Sequence, residues 1–143
     1  MKLFKAIAHR ARVVHSKLRE ASKERKRSPK WSSLRDHTLK ASPLCAACGD
    51  KQHLQVHHKK PFSDCPELEL EPTNLVVLCM GVNECHLRLG HGGNYRYFNP
   101  NVAQDAMDFQ AYPEKRLEVV ARAKKARLDK PLGVEGADAP TPH

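Results

Sequence analysis

The sequence lacks any long hydrophobic run. Apolar stretches such as residues 75–78 (LVVL) are far shorter than the about 20 residues that a membrane-spanning helix needs. Aromatic residues contribute only 6% of the 143 residues and hydrophobic residues 40%. We therefore expect a soluble protein whose single core is small. Small domains of this kind are often stabilised by a metal ion or by disulfides.

Acidic residues are also scarce, and the first of them is Glu20. Twenty-five Lys and Arg residues against sixteen Asp and Glu residues give a net charge of +9. Such a charge favours an anionic partner, and both nucleic acid and an acidic membrane surface satisfy it. The arginine-rich start is also typical of organellar transit peptides, whereas His9, Arg10 and Arg12 interrupt any secretory signal. We expect a cytoplasmic location, where cysteines more often bind metal than form disulfides.

Helical periodicity is found at both ends of the chain. Residues 3–21 carry one apolar stripe among lysines and arginines, and a basic linker follows it as far as Pro29. A short helix is predicted over residues 31–40, another over 102–110, and a last one from Pro113 to Leu128. The predicted shared face of the last helix is formed by Leu117, Val120, Ala121, Lys124 and Leu128.

The centre of the chain has the order strand, strand, helix. The segment HLQVHH alternates apolar and polar residues, and NLVVLC is a β-branched run, so the two predict a hairpin with a long loop. Asn83 is predicted to cap a short helix that begins in ECHLRL and stops at Gly90. We therefore divide the chain into a basic N-terminal helix and linker (1–30), a central domain (31–100), C-terminal helices that pack on it (101–128) and a disordered tail (129–143).

Four of the five cysteines form two pairs that flank the predicted hairpin. Cys45 and Cys48 form C-x2-C, and Cys79 and Cys85 form C-x5-C. Four thiolates can close a tetrahedral shell around structural zinc, which would link the two ends of the hairpin. The alternative is a set of buried thiols or a redox pair, but a redox C-x-x-C normally lies in a βαβ unit, which is absent here. Cys65 has no assigned role.

The adjacent pair His57 and His58 ends the first predicted strand. Neighbouring strand residues point to opposite faces, so both imidazoles could face one substrate only if the strand breaks at this point. Pro61 and the loop after it offer such a break. Asn74 then begins the returning strand, and His86 and His91 follow on the short helix and at its exit.

Together these blocks resemble the HNH endonucleases of the ββα-metal class, over residues 31–100. The segments that carry the resemblance are CAACG, LQVHHKKPF, PELELEPTNLVVLC, ECHLRLGH and GNYRYFNP, and they look most like a group common in bacteria and their phages. The resemblance implies an α+β fold, a zinc-stapled ββα-metal core flanked by N- and C-terminal helices. It also implies that His57 and His86 are ligands of a catalytic metal, that His58 is the general base, and that Asn74 secures the loop and orients the base.

Two features depart from the family pattern. Relatives with a second ligand on the helix place it four residues after the first, whereas this chain has glycine at position 90 and histidine at 91. His91 can serve as a ligand only if the helix ends at Gly90 and the chain turns back towards the site. The five-residue spacing between Cys79 and Cys85 is the second departure, and it leaves the start of the helix open.

The resemblance and the charge together lead to the expected function. We expect a DNA endonuclease that contains structural Zn2+, uses Mg2+ or another divalent cation and leaves 5′-phosphate and 3′-hydroxyl ends, as a monomer or homodimer that does not bind membranes. Further residues that we expect to contact DNA are Lys59, Lys60, Arg88, Tyr95 and Arg96. The alternative is a zinc-containing nucleic-acid-binding module without catalysis. A third hypothesis is a membrane-surface protein that binds through its basic amphipathic N-terminus.

Overall fold

The computed structural model describes residues 26–129, which combine α-helices with two antiparallel two-stranded sheets. This mixture confirms the predicted α+β class. The elements in chain order are α1 (Trp31–Ala41), β1 (Leu54–His58), 3-10 turns at Pro66–Leu68 and Pro72–Asn74, β2 (Leu75–Cys79), a π-helical turn (His86–Gly90), β3 (Tyr97–Phe98), α2 (Val102–Ala111), a 3-10 turn at Pro113–Lys115, α3 (Arg116–Ala126) and β4 (Leu128–Asp129). The predicted N-terminal helix and residues 130–143 of the predicted tail lie outside the described residues.

Strands β1 and β2 form the predicted hairpin. They pair antiparallel from Leu54 opposite Cys79 to His58 opposite Leu75, and Lys59 N–H extends the pairing by donating to the Asn74 carbonyl over 2.8 Å. The strand break that the sequence suggested at the histidine pair is therefore absent. Regular pairing keeps the alternation of side chains, so His57 and His58 point to opposite faces of the hairpin.

Helix α1 lies against β1 and has no buried residue of its own. It ends one residue later than predicted, where Ser42 N–H still donates to the Thr38 carbonyl over 2.9 Å and Pro43 follows. Inside the helix, the Thr38 hydroxyl donates to the Leu34 carbonyl over 2.8 Å. The helix lies against the hairpin, and its first residue, Trp31, contacts His58.

Helices α2 and α3 pack on each other and on the π-helical turn. Their buried side chains include Phe109, Val119 and Ala123. The predicted face of the last helix is wrong, because Leu117 is 79% exposed. A separate 3-10 turn takes up Pro113–Lys115, so α3 begins only at Arg116 and turns other side chains towards the core.

The end of the last helix also differs from the prediction. Helix α3 ends at Ala126, and Leu128 and Asp129 pair with Phe98 and Tyr97 as β4 against β3. This short sheet ties the C-terminal helices to the segment that follows the π-helical turn. Asp129, predicted to start the tail, is part of that sheet.

The predicted cap of the short helix is wrong as well. The π-helical turn begins after Cys85, and no side chain caps it. Asn83 contributes only its backbone carbonyl, which accepts a hydrogen bond from Arg88 Nη1 over 3.4 Å. Cys85 and His86 are adjacent at the start of this turn, and each belongs to a different cluster of candidate metal ligands.

Candidate functional site

The first cluster contains the four cysteines predicted from the sequence. Their sulfur atoms all lie within 4.8 Å of one another, and Cys48 Sγ and Cys79 Sγ are separated by 3.6 Å. Gly49, with φ +76°, closes the C-x2-C turn by donating its N–H to the Cys45 carbonyl over 2.9 Å. Ala46 N–H donates to the Val77 carbonyl over 2.9 Å and so attaches this turn to β2.

The ionisation of these thiols shows why they fit a cation. The hydrogen bond from Cys85 lowers the pKa of Cys45 to about 4. Burial raises the pKa of Cys79 to about 11, and the pKa of Cys85 is raised by its hydrogen bond to Cys45 and by burial. The shifts in pKa therefore favour ionisation of Cys45 and oppose that of Cys79 and Cys85. A divalent ion removes that opposition because a coordinated thiol is deprotonated, and four soft donors suit zinc.

Cys65 lies outside this cluster. It is a half-buried thiol in the loop between the two strands. None of the five cysteines forms a disulfide. The cluster therefore uses the four cysteines with paired spacing and leaves out the fifth.

The second cluster contains three histidines from three separate places in the chain. His57 comes from β1, His86 begins the π-helical turn and His91 follows that turn. His57 Nδ1 lies 3.1 Å from His86 Nε2, and His86 Nε2 lies 3.3 Å from His91 Nε2. Nitrogen ligands placed tetrahedrally at about 2.0–2.1 Å from an ion are separated by about 3.3 Å, so the spacing fits a metal centre.

The three histidines are almost completely buried, at 0 to 2% exposure. Among residues 26–129, three donors meet here, in contrast to four in the cysteine cluster. Three protein ligands leave a further coordination position open, which is the arrangement of catalytic rather than structural sites.

His91 joins the cluster because the turn before it is π-helical. In such a turn hydrogen bonds join residues five apart, so the fifth residue after His86 lies over the same face as His86 itself. The His91 ring is oriented by the Tyr97 carbonyl, which accepts a hydrogen bond from His91 Nδ1 over 2.8 Å. In the neutral ring this leaves the lone pair on Nε2, the atom that faces His86.

Gly90 is required by the close approach of His57. A Cβ atom at position 90 would lie 3.0 Å from His57 Cε1 and 3.1 Å from His57 Nδ1. Only glycine leaves this space to the imidazole. His91 therefore joins the cluster one residue after Gly90, and position 90 forms part of the wall around His57.

His58 occupies the other face of β1. Its Nε2 lies 3.0 Å from the Glu69 carbonyl and its ring centroid lies 4.4 Å from that of Trp31, with 34° between the planes. A carbonyl oxygen only accepts, so Nε2 carries the hydrogen and the lone pair of the neutral ring lies on Nδ1. His58 is 2% exposed.

Asn74 binds backbone groups on both sides of the long loop. Its Oδ1 accepts from Lys60 N–H over 2.9 Å, and its Nδ2 donates to the Lys60 carbonyl over 3.0 Å and to the Leu68 carbonyl over 3.2 Å. It is 6% exposed. The side chain therefore clamps the loop next to His58.

The basic residues expected to contact DNA differ in their surroundings. Lys59 donates from Nζ to the Thr73 carbonyl over 2.8 Å, whereas Lys60 and Arg96 have exposed side chains. Arg88 is half-buried. Lys59 and Lys60 thus border the end of β1, directly after the two histidines.

Tyr95 lies beside the three-histidine cluster. Its ring centroid is 4.9 Å from that of His91, and its hydroxyl donates to Met80 Sδ over 3.3 Å. Burial and the charge of Glu84 raise the pKa of Tyr95 above its ordinary value. The neutral, half-buried ring forms a wall of the cluster.

Sequence reasoning missed the residues around His58. Trp31 and Glu69 contact it directly, and Arg27 contacts both of these. Trp31 is the single tryptophan of the chain, which was the one available signal. Nothing in the pattern around Glu69 distinguishes it from the other acidic residues of the loop.

Comparison with known proteins agrees with this architecture. Residues 45–92 match the family model described as HNH endonuclease, which confirms the resemblance seen in the sequence. Members of this family are typically nucleases, so the match indicates a nuclease-type or nucleic-acid-binding function. The matched segment includes both clusters, His58 and Asn74, but neither Trp31 nor α2 and α3. Searches of curated proteins and of solved structures each found no match. Within residues 26–129, every helix is too short or too polar to cross a membrane.

Proposed function

We propose, with the HNH match as the premise, that this protein is a metal-dependent endonuclease that hydrolyses phosphodiester bonds in DNA. The observation that carries the proposal is the meeting of His57, His86 and His91 within ligand distance of one another, with His58 next to His57 in the chain. The cysteine cluster would hold structural zinc and keep the hairpin and the π-helical turn together.

The metal centre has three imidazole donors among the described residues. A divalent cation bound there would stabilise the charge on the phosphate and on the leaving oxygen. Imidazole suits transition metals such as zinc and nickel, whereas Mg2+ prefers oxygen ligands. The three imidazoles therefore favour a transition-metal ion over Mg2+ as the catalytic metal.

His58 is the proposed general base. Its Nδ1 can accept the proton of the attacking water while Nε2 remains bound to the Glu69 carbonyl. His57 and His58 lie on opposite faces of β1, but His58 is the last residue of that strand. In this proposal the phosphate lies at the end of β1, next to both histidines.

The residues after the strand support binding of an anionic substrate at that position. Lys59 and Lys60 follow His58 directly, and Lys60 is exposed. A net charge of +9 adds long-range attraction for a polyanion, which weakens as salt is raised. DNA is accordingly the proposed substrate.

A second candidate is a zinc-containing nucleic-acid-binding module without catalysis. One observation favours it, namely that His58 is 2% exposed beneath Trp31. Water must reach Nδ1 if His58 is to act as a base.

Supercoiled plasmid separates the two functions. The purified protein is incubated with plasmid and Mn2+, Ni2+ or Mg2+, with EDTA as the metal-free reaction. We expect nicked or linear product with a divalent ion, and a loss of about 100-fold or more in His58→Ala, since general bases contribute about 10²–10⁴-fold. His37→Ala removes an exposed histidine of α1 and is the matched control. A mobility shift without strand breaks would support the binding module instead.

A further inference from the structure

Besides its hydrogen bond to the Glu69 carbonyl, His58 has a ring contact with Trp31 that the proposed chemistry does not use. The imidazole is held on one edge by the Glu69 carbonyl, 3.0 Å from Nε2, and on one face by the indole of Trp31, 4.4 Å between centroids. The first contact selects the tautomer. The second limits rotation of the ring about its bond to Cβ. Together they allow one orientation of Nδ1.

Arg27 contacts both Glu69 and Trp31. Its guanidinium lies 5.2 Å from the Trp31 ring centroid and 4.7 Å from that of Phe62, and its Nη1 lies 3.5 Å from Glu69 Oε1. Ser28 N–H donates to the other oxygen of Glu69 over 3.0 Å. Thus the segment that leads into α1 is fastened to the residue whose carbonyl binds His58.

The burial of Glu69 makes these contacts costly to lose. Its side chain is 6% exposed, and that of Arg27 is 24% exposed. A carboxylate removed from water needs its charged partner and its hydrogen bonds, so breaking the pair displaces Glu69 rather than leaving it in place. Movement of Glu69 carries its carbonyl away from His58.

We propose that Trp31, supported by Arg27, is a positioning residue that holds His58 in one tautomer and one orientation for proton transfer. This inference rests on the proposed function, because it assigns Trp31 a role in the proposed reaction. Trp31 lies outside residues 45–92, which match the family model. Trp31 does not touch the substrate in this proposal. It acts through His58, since a base misplaced by about 1 Å can lose about 100-fold in rate.

The rate test uses Trp31→Ala, Trp31→Phe and the control Tyr112→Ala, which removes a half-exposed aromatic ring at the far end of α2. We expect kcat for plasmid cleavage to fall about 10- to 100-fold in Trp31→Ala with KM within about threefold, because transition-state geometry is lost and DNA binding is not. Trp31→Phe keeps a ring face and should stay within about threefold of the parent. An unchanged or raised kcat in Trp31→Ala overturns the proposal, and a raised one would mean that the indole blocks the base.

A double mutant separates positioning from general stabilisation. If Trp31 acts only through His58, then Trp31→Ala added to His58→Ala changes the residual rate by less than about twofold. The same 10- to 100-fold loss in both backgrounds would mean that the indole merely supports the fold, and would overturn the proposal. Parental cleavage by His58→Ala alone would instead contradict the proposed function.

NMR tests the positioning of His58 without requiring the protein to cleave DNA. Long-range proton–nitrogen NMR spectra of the imidazoles distinguish the two neutral tautomers, and the His58 signals are assigned by their loss in His58→Gln. We expect a single Nε2–H form in the parent and averaged nitrogen shifts in Trp31→Ala. Identical spectra would overturn the proposal. If Trp31→Ala does not melt cooperatively, Trp31→Leu replaces it, and equal kcat values for Trp31→Leu and Trp31→Phe would count against the ring face.

Discussion

The cysteine and histidine clusters share one scaffold and differ in what they leave open. Each takes residues from the hairpin and from the segment around the π-helical turn, and Cys85 and His86 are adjacent in the chain. The cysteine cluster offers four sulfur donors, the number that fills a tetrahedral shell. The histidine cluster offers three nitrogen donors among the described residues, one fewer than a tetrahedral shell needs.

This difference shows how one small core can serve two purposes. A closed thiolate site contributes folding energy, because the metal holds distant segments together. Under the proposed function, the imidazole site would contribute little cross-linking beyond that of the first cluster, but a metal ion bound there would accept a phosphate oxygen. Mutations in the first cluster should therefore change stability, and mutations in the second should change activity.

The largest expected effect comes from Cys85→Ser. A structural zinc site contributes about 10–16 kcal/mol, which equals or exceeds the about 5–15 kcal/mol by which domains are usually stable. We expect loss of bound zinc and of cooperative thermal unfolding, measured by metal analysis and circular dichroism. Cys65→Ser is the matched control, since Cys65 lies outside the cluster, and it should retain both. A zinc-free Cys85→Ser protein that melts like the parent would remove the distinction between the clusters.

His86→Ala tests the other side of the comparison. Loss of a metal ligand should cost more than the about 10- to 100-fold that removal of an outer-shell partner costs in metal affinity or activity. We expect cleavage to be lost, while the zinc content and the melting curve stay close to those of the parent. Calorimetric titration with Mn2+ or Ni2+ should show the loss of one site, whereas His58→Ala should keep that site. Equal divalent binding by His86→Ala and the parent would contradict the metal assignment.

Gly90→Ala is expected to have a smaller effect on the same site. The added Cβ would lie 3.0–3.3 Å from ring atoms of His57, so the imidazole must shift by a few tenths of an ångström. We expect divalent affinity to fall about 10-fold, as for loss of an outer-shell partner. Gly93→Ala serves as a control, because it brings the strain of a positive φ, +86°, without any atom within 4 Å of the new Cβ. A larger loss of affinity in Gly93→Ala would point to backbone strain instead.

The smallest effect lies away from both clusters, in the ion pairs of α2 and α3. Hydrogen bonds from Arg122 and Gln104 lower the pKa of Asp108 below its ordinary value of 3.8. A lowered folded pKa gives stability that is present above the ordinary value and is lost as pH falls through the folded pKa. The melting temperature of Asp108→Asn should therefore lie slightly below that of the parent at pH 7, and the difference should vanish in acid. A difference that persists at the lowest pH would exclude this ion pair as its cause.

The cysteine cluster was predictable from the sequence because the paired spacing of its cysteines and the hairpin pattern between the pairs are both local signals. Two cysteines with two residues between them reach one ion from a single tight turn, and the hairpin pattern brought Cys79 opposite Leu54, beside that turn. The identities of His57, His86 and His91 were predictable from the family resemblance. Their roles as ligands remain predictions that the geometry supports.

Other expectations failed where packing decided between local alternatives. The periodicity predicts one helix from Pro113 to Leu128, but a 3-10 turn occupies its first three residues and changes which side chains of the following helix face the core. A strand break at the histidine pair was the condition for both imidazoles to face one substrate, but the ladder with β2 continues through His58. The local sequence does not reveal which of these conformations has the lower free energy, because that depends on packing against residues far away in the chain.

The sequence by itself determined the inventory of donors, their order along the chain and the excess of positive charge, since these follow from residue types and spacing alone. The tertiary structure decided which face of β1 each imidazole occupies, how a π-helical turn brings His91 to His86, and that Trp31 covers His58. The physical reason is that ligand chemistry depends on residue type and is local. Orientation depends on side-chain packing between segments more than 25 residues apart in the chain, such as Trp31 and His58.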